Sequence, residues 1–114
     1  MGSETKAPTR LTYCRSRREL DIEFEGAAMT SLSAEFLRVH SPSAEVQGHG
    51  PGQAVLQVGK AKVAITGINP VGHYAIQITF DDGHSSGLFT WSYLAHLMRN
   101  KDTMWQAYLA RLSD

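Results

Sequence analysis

The side chains best suited to chemistry gather in one stretch, LRVHSPSAEVQGHG at residues 37–50. It holds His40, Glu45 and His49 with Ser41, Ser43 and Arg38, and Pro42 and two glycines break it up. A second polar turn, FDDGH at 80–84, brings Asp82 and His84. Imidazole and carboxylate are the usual ligands of zinc and iron. His84, His49, His40 and Glu45 are therefore the candidate metal ligands, and Arg38, Ser41, Ser43 and Asp82 the candidate walls of a ligand or partner pocket. His40 and His49 are nine residues apart, a spacing that matches no local metal motif. A metal site would need the 37–50 loop to fold back and meet His84. The alternative is that His40 ends a short helix and His49 is a surface loop residue. Asp82-Gly83 is ordinary hairpin chemistry, which leaves His84 to carry the functional weight.

Other chemistries are weakly supported. Ser41 and Ser43 lie near His49 and acidic residues, but no Gly-x-Ser-x-Gly elbow is present. Gly48 to Gly52 is glycine-rich, yet no lysine follows as in a phosphate loop. Cys14 is the only cysteine, so neither an internal disulfide nor a thiolate zinc cluster is available. It reads as a small strand side chain. The 11 basic and 11 acidic residues balance, which argues against nucleic acid as the main partner. Arg10, Arg15, Arg17 and Arg18 form a local basic run, read mainly as a solvated hairpin turn. No segment approaches the roughly 18 apolar residues of a membrane span. Residues 1–9 lack the apolar core of a signal peptide and read as a disordered arm. The expected compartment is cytoplasmic.

The elements that must position these residues follow from patterning. At 114 residues and 42% hydrophobic composition, one domain with an ordinary core is expected. Residues 10–25 alternate as a hairpin with its turn at Ser16–Arg18. Ser33 is placed to cap a short helix through Phe36 and Leu37, and 39–53 reads as loop. Residues 54–58 and 62–68 suggest a second hairpin, and Asn69–Gly72 a turn. Tyr74–Phe80 is the best strand, with Tyr74, Ile76, Ile78 and Phe80 on one face. Thr90 can cap a helix carrying Trp91, Leu94, Leu97 and Met98. Asp102 can cap another carrying Trp105, Tyr108, Leu109 and Leu112, unless the two are one helix bent near Asn100. Residues 22–37 and 78–94 repeat a strand–turn–strand–capped-helix order. The expected fold is α+β: antiparallel β-hairpins, short helices packed on one side, a pseudo-repeated β-β-α unit and a C-terminal helix.

The loop 37–50, the stretch VAITGINPVGHYAIQITFDDGHSSGLFTWSYL at 63–94 and the opening hairpin together resemble the gamma-butyrobetaine hydroxylase-like N-terminal domain family. The resemblance covers 10–98 and leaves 99–114 as a helical extension. Members of that family stand alone as small bacterial proteins, precede gamma-butyrobetaine and trimethyllysine dioxygenases, or are fused to P-loop ATPases that carry iron–sulfur clusters. The resemblance thus implies a non-catalytic accessory module, with an iron–sulfur carrier ATPase or an oxygenase-type protein as partner and iron or zinc as the candidate metal. The alternatives are a metal-free interaction or dimerisation module presenting Trp105, Tyr108 and Leu109, and a small enzyme. In the hydroxylases the domain holds zinc through three cysteines and one histidine. The histidine falls on His84, but the cysteines fall on Ser41, Ser43 and Val46, so that zinc site is not preserved. Oxygenase activity is not expected either, because no histidine is followed two residues later by Asp or Glu.

Overall fold

The structure is a computed structural model that describes residues 5–47, 55–85 and 87–113. It contains two three-stranded antiparallel sheets, each running directly into a helix. The first unit comprises β1 (Arg10–Cys14), β2 (Glu19–Glu23), β3 (Thr30–Ser33) and α1 (Ala34–Val39). After α2 (Ala44–Gln47), the second comprises β4 (Ile65–Val71), β5 (Ala75–Phe80), β6 (Leu88–Thr90) and α3 (Trp91–Arg99). The chain then forms α4 (Lys101–Ser113). Strand order is β1-β2-β3 in one sheet and β4-β5-β6 in the other.

The repeat seen in the sequence is therefore a β-β-β-α unit used twice, and its two copies match in backbone detail. The last strand residue of each unit is the N-cap of the following helix. Ser33 Oγ accepts from the Phe36 N–H at 3.0 Å, and Thr90 Oγ1 accepts from the Tyr93 N–H at 3.1 Å. The capping residues share φ near −70° with ψ of 154° and 159°. Each supplies an acceptor for one of the orphan N–H groups of a helix start. The C-caps, His40 and Asn100, are equally alike, with φ of −112° and ψ of 21° and 17°.

Period-2 alternation decides which strand faces turn inward. Leu20 and Ile22 of β2 are fully buried, while Glu19, Asp21 and Glu23 point the other way. Ile76, Ile78 and Phe80 do the same on β5. These side chains meet Leu32, Phe36, Leu37, Val63, Ile65, Phe89, Leu94 and Leu97 in a single core fed by both units. Arg38 and the 81–84 turn are brought together at the end of this core.

Several expectations are corrected. Asn69, Pro70 and Val71 belong to β4, and the turn lies at 72–74 instead. Proline is tolerated there because β4 is an edge strand and needs no N–H on its open side. Residues 55–58 form no strand, so the hairpin expected with 62–68 is absent among the described residues. Ala44–Gln47 is a helical turn where loop was expected. Tyr74 lies outside β5 and is exposed. The chain after Thr90 forms two helices joined at Asn100, and Asp102 sits in the first turn of α4 rather than at its cap. On α4 the inward residues are Met104, Trp105 and Tyr108, whereas Leu109 and Leu112 are exposed.

The matched caps give the first prediction. Ser33→Ala and Thr90→Ala each lower unfolding free energy by about 1 kcal/mol. Urea denaturation of the single and double variants checks this, with near-additive losses expected.

Candidate functional site

The two polar segments singled out in the sequence meet in a buried seam. The last turn of α1 supplies Arg38, and His40 closes the helix. The chain then runs through Ser41, Pro42 and Ser43 into α2, where the Val46 and Gln47 amides bond the Ser43 carbonyl. Opposite, β5 ends at Phe80 and turns through Asp81–His84. Gly83 has a φ of 91°, a conformation that glycine adopts without a side-chain penalty. The turn is closed by Gly83 N–H to Phe80 O and Phe80 N–H to His84 O.

Across the seam, His84 Nε2 lies 2.9 Å from Ser41 Oγ and 3.4 Å from Ser43 Oγ. Ser41, Ser43 and His84 are 0%, 6% and 8% exposed. Phe80 packs near the His84 ring. Gly87 passes so close that a Cβ there would collide with Ser41 Oγ and press on Pro42. Among the described residues, the side chains expected to line a pocket between the two loops thus pack against one another.

A second polar layer lies alongside. Asp82 Oδ2 accepts from Arg38 Nε at 2.9 Å and from Lys60 Nζ at 2.6 Å. Asp82 Oδ1 accepts from the His84 N–H at 3.1 Å. Arg38 also donates to Gln57 Oε1 at 3.1 Å. Burial alone would raise the Asp82 carboxyl. The hydrogen bonds from Lys60, the His84 amide and Arg38, with the Arg38 charge, outweigh it and hold the pKa at about 2. Among the described residues, no buried side-chain nitrogen or oxygen lacks a hydrogen-bond partner.

His40 has different neighbours. Its Nδ1 lies 3.0 Å from the Phe36 carbonyl, and its ring packs against Phe36 and faces Tyr108 edge-on. Burial pushes its imidazole below the ordinary range, and the Phe36 carbonyl offsets this only in part. The His40 carbonyl accepts from Tyr93 Oη–H at 2.6 Å, tying α3 to the start of the seam. Glu45 falls in α2, and His49 lies outside the described residues. Among the described residues, no three His, Cys, Asp or Glu side chains form a group able to hold a metal.

Beside the seam, a cleft of about 180 Å³ separates the 39–47 and 55–57 segments from α4. Val39, His40, Leu56, Met104, Ala107 and Tyr108 are among its lining residues. α4 is held there by polar anchors. Tyr108 Oη donates to Glu35 Oε2 at 2.7 Å, and Lys101 Nζ donates to the Ser31 carbonyl at 2.7 Å. Burial, then the Glu35 hydrogen bond and charge, raise the Tyr108 phenol. Tyr108, expected as an exposed contact residue, is therefore a buried link between α4 and α1.

Gln57, Lys60, Gly87 and Tyr93 were not legible as parts of this region, because their partners lie far away in sequence. Cys14 carried one signal that the strand reading passed over. It stands beside Ser16 and Arg17, and the Ser16 hydroxyl, then the Arg17 amide and side chain, lower its pKa to about 7.

With the geometry described, comparison with known proteins is direct. Residues 11–95 match the profile of the family "Gamma-butyrobetaine hydroxylase-like, N-terminal". The chain belongs to that family. Two proteins solved by NMR in solution resemble it over nearly the whole chain. One is 48% identical with a TM-score of 0.84, covering 96% of this chain and 86% of its own. The other is 46% identical with a TM-score of 0.82, covering 99% and 84%. A crystal structure of a DUF971-family protein of unknown function from Acidithiobacillus ferrooxidans ATCC 23270 is 33% identical, with a TM-score of 0.66, covering 79% and 90%. No curated protein matches the chain. Among the described residues, no helix is long and apolar enough to cross a membrane.

The three-cysteine, one-histidine zinc site of the resembled hydroxylases can be compared with the donor set present here. Ser41 and Ser43 offer neutral hydroxyls and Val46, 2% exposed, offers no donor at all. One imidazole remains, and it is engaged by the two hydroxyls. These residues do not fit a three-cysteine, one-histidine zinc.

Two predictions follow from the charges. The Asp82 pKa is depressed on folding, so its contribution to stability is present above its unfolded value near 4 and is lost as pH falls towards 2. The stability gap between the wild type and Asp82→Asn is therefore constant from pH 7 to about 5 and closes between about pH 4 and 2. Acid denaturation followed by circular dichroism measures it. Cys14 alkylation by iodoacetamide should show a midpoint near pH 7, and Arg17→Ala should move it upward.

Proposed function

We propose that this chain is a non-catalytic accessory module that docks a partner protein in the cleft between its 39–47 and 55–57 segments and α4. The observation that carries this reading is the contrast between seam and cleft. The seam holds a Ser41–His84 pair at the spacing of a nucleophile and its base. Both residues are buried, and the Gly87 backbone lies against the hydroxyl. A substrate carbonyl has no approach to Ser41 Oγ. The seam instead fixes the backbone of 38–43, and the fixed backbone presents Val39 and His40 to the cleft.

The cleft suits protein recognition. Its lining is apolar, with aromatic Tyr108 and a rim bearing His40, Gln57 and Arg111. Interfaces concentrate aromatic residues and arginine in this way. Family context supports the class of partner: an iron–sulfur carrier ATPase of P-loop type, or an oxygenase-type protein. The chain would supply a rigid surface, and the partner would bring the metal chemistry.

The test is a titration of isotope-labelled protein with a purified P-loop ATPase carrying an iron–sulfur cluster, and separately with an iron oxygenase. Amide shifts are expected at Val39, His40, Val55–Gln57 and Met104–Arg111. Ala107→Arg should weaken binding about tenfold or more, the size of a single hot-spot loss, while Thr12→Arg on exposed β1 leaves it unchanged. Shifts confined to the outer face of β4–β6, or insensitivity to Ala107→Arg, would refute the assignment.

A further inference from the structure

We propose that Ser41, Ser43 and His84 form a metal-free clasp that joins the two loops by hydrogen bonds, and that the same frame would hold a tetrahedral zinc if thiolates replaced its hydroxyls and Val46. The geometry supports both halves of this statement. In a tetrahedral zinc site, bond lengths of 2.0–2.1 Å to nitrogen and 2.3 Å to sulfur place neighbouring ligand atoms roughly 3.5 Å apart. His84 Nε2 lies 2.9 Å and 3.4 Å from the two serine oxygens. Sulfur is larger than oxygen and sits farther from its Cβ, so cysteines at 41 and 43 would have to push the two loops slightly apart to reach that value. Val46 follows Ser43 by one helical turn, with its N–H on the Ser43 carbonyl. Val46 is the position on which the third cysteine of the resembled family's site falls, and it is as buried as the rest.

The present side chains turn this frame to another use. A hydroxyl can donate or accept, so it bonds a histidine nitrogen without a cation between them. The layer behind the ring holds it from the backbone side, through the His84 N–H on Asp82 Oδ1 and the Arg38 and Lys60 cations on Oδ2. Those two cations would also oppose a divalent ion placed near a neutral donor set. Val46 offers only apolar surface, and it lines the neighbouring cleft. The clasp carries no thiolate, so neither chelators nor mild oxidants can open it. A loop junction held by thiolates and zinc would respond to both.

Three measurements test this on the full chain without a histidine tag. Wild-type protein should contain no stoichiometric metal, and its Tm should not move with EDTA, nor, in a Cys14→Ser background, with hydrogen peroxide. Stoichiometric zinc or iron that is lost in His84→Ala would overturn the proposal. His84→Gln, whose amide still bonds a hydroxyl, should keep most of the Tm that His84→Ala loses. Equal losses would count against a hydrogen-bonded clasp. The triple variant Ser41→Cys, Ser43→Cys, Val46→Cys should bind one cobalt with the visible bands of a tetrahedral thiolate site, and zinc should raise its Tm. Adding His84→Ala should shift those bands. A triple variant that binds no cobalt, or that folds neither with nor without zinc, would overturn the shared frame.

Discussion

The carboxylate of Asp82 is the contact on which the arrangement of the loops depends. Its two oxygens receive an amide from its own turn, a guanidinium from α1 and an ammonium from the segment after Gly59. Three separate stretches of chain are thereby referred to one side chain. Arg38 is 7% exposed, so its charge would be costly without this partner. The pairing does more than offset that cost. It fixes the height at which His84 enters the seam, and with it which hydroxyls the imidazole can reach. Ser41 and Ser43 then set the path of the chain into α2, and that path forms one wall of the cleft.

What was legible in the sequence was what local chemistry decides. Ser33 and Thr90 stand between an alternating run and a helical stripe, and capping needs little beyond that position. Leu20 and Ile22, or Ile76, Ile78 and Phe80, show their buried face by alternation alone. The repeat could be read because the same cap follows the same strand pattern twice. Pro70 could not be placed, because a proline is allowed in a strand only at an edge, and edge position is a property of the assembled sheet. Tyr74 continued the alternation of β5 but falls in the turn, where the pattern no longer binds it to a face.

The seam was legible in membership and not in state. Arg38, Ser41, Ser43, Asp82 and His84 were all named from the sequence and its family resemblance, and all five meet. Whether they would line an open pocket or fill it depends on how closely two loops some forty residues apart approach. Gly87 governs that approach, since only a residue without a Cβ lets the backbone lie against Ser41. Nothing near Gly87 in the sequence announces this. The same holds for Lys60 and Gln57, whose roles arise from distant partners. Tyr108 was chosen by helical spacing as a contact residue. Its hydroxyl found Glu35, and the neighbouring exposed leucines were left outside.

The doubled β-β-β-α unit has a consequence for the order in which this chain folds. Within each unit the pairings are hairpins and direct strand-to-helix junctions, so their loop-closure cost is small. The links between units span long separations: Tyr13 to Ile65, His40 to Tyr93 and Ser41 to His84, with Glu35 to Tyr108 tying α4 back to the first unit. Such contacts are bought only once each half has taken shape. Strand pairing and helix capping belong to the climb towards the folding barrier, and closure of the seam belongs to the descent from it. Substitutions in the seam should therefore register chiefly in how fast the protein comes apart, and those at the caps in how fast it forms.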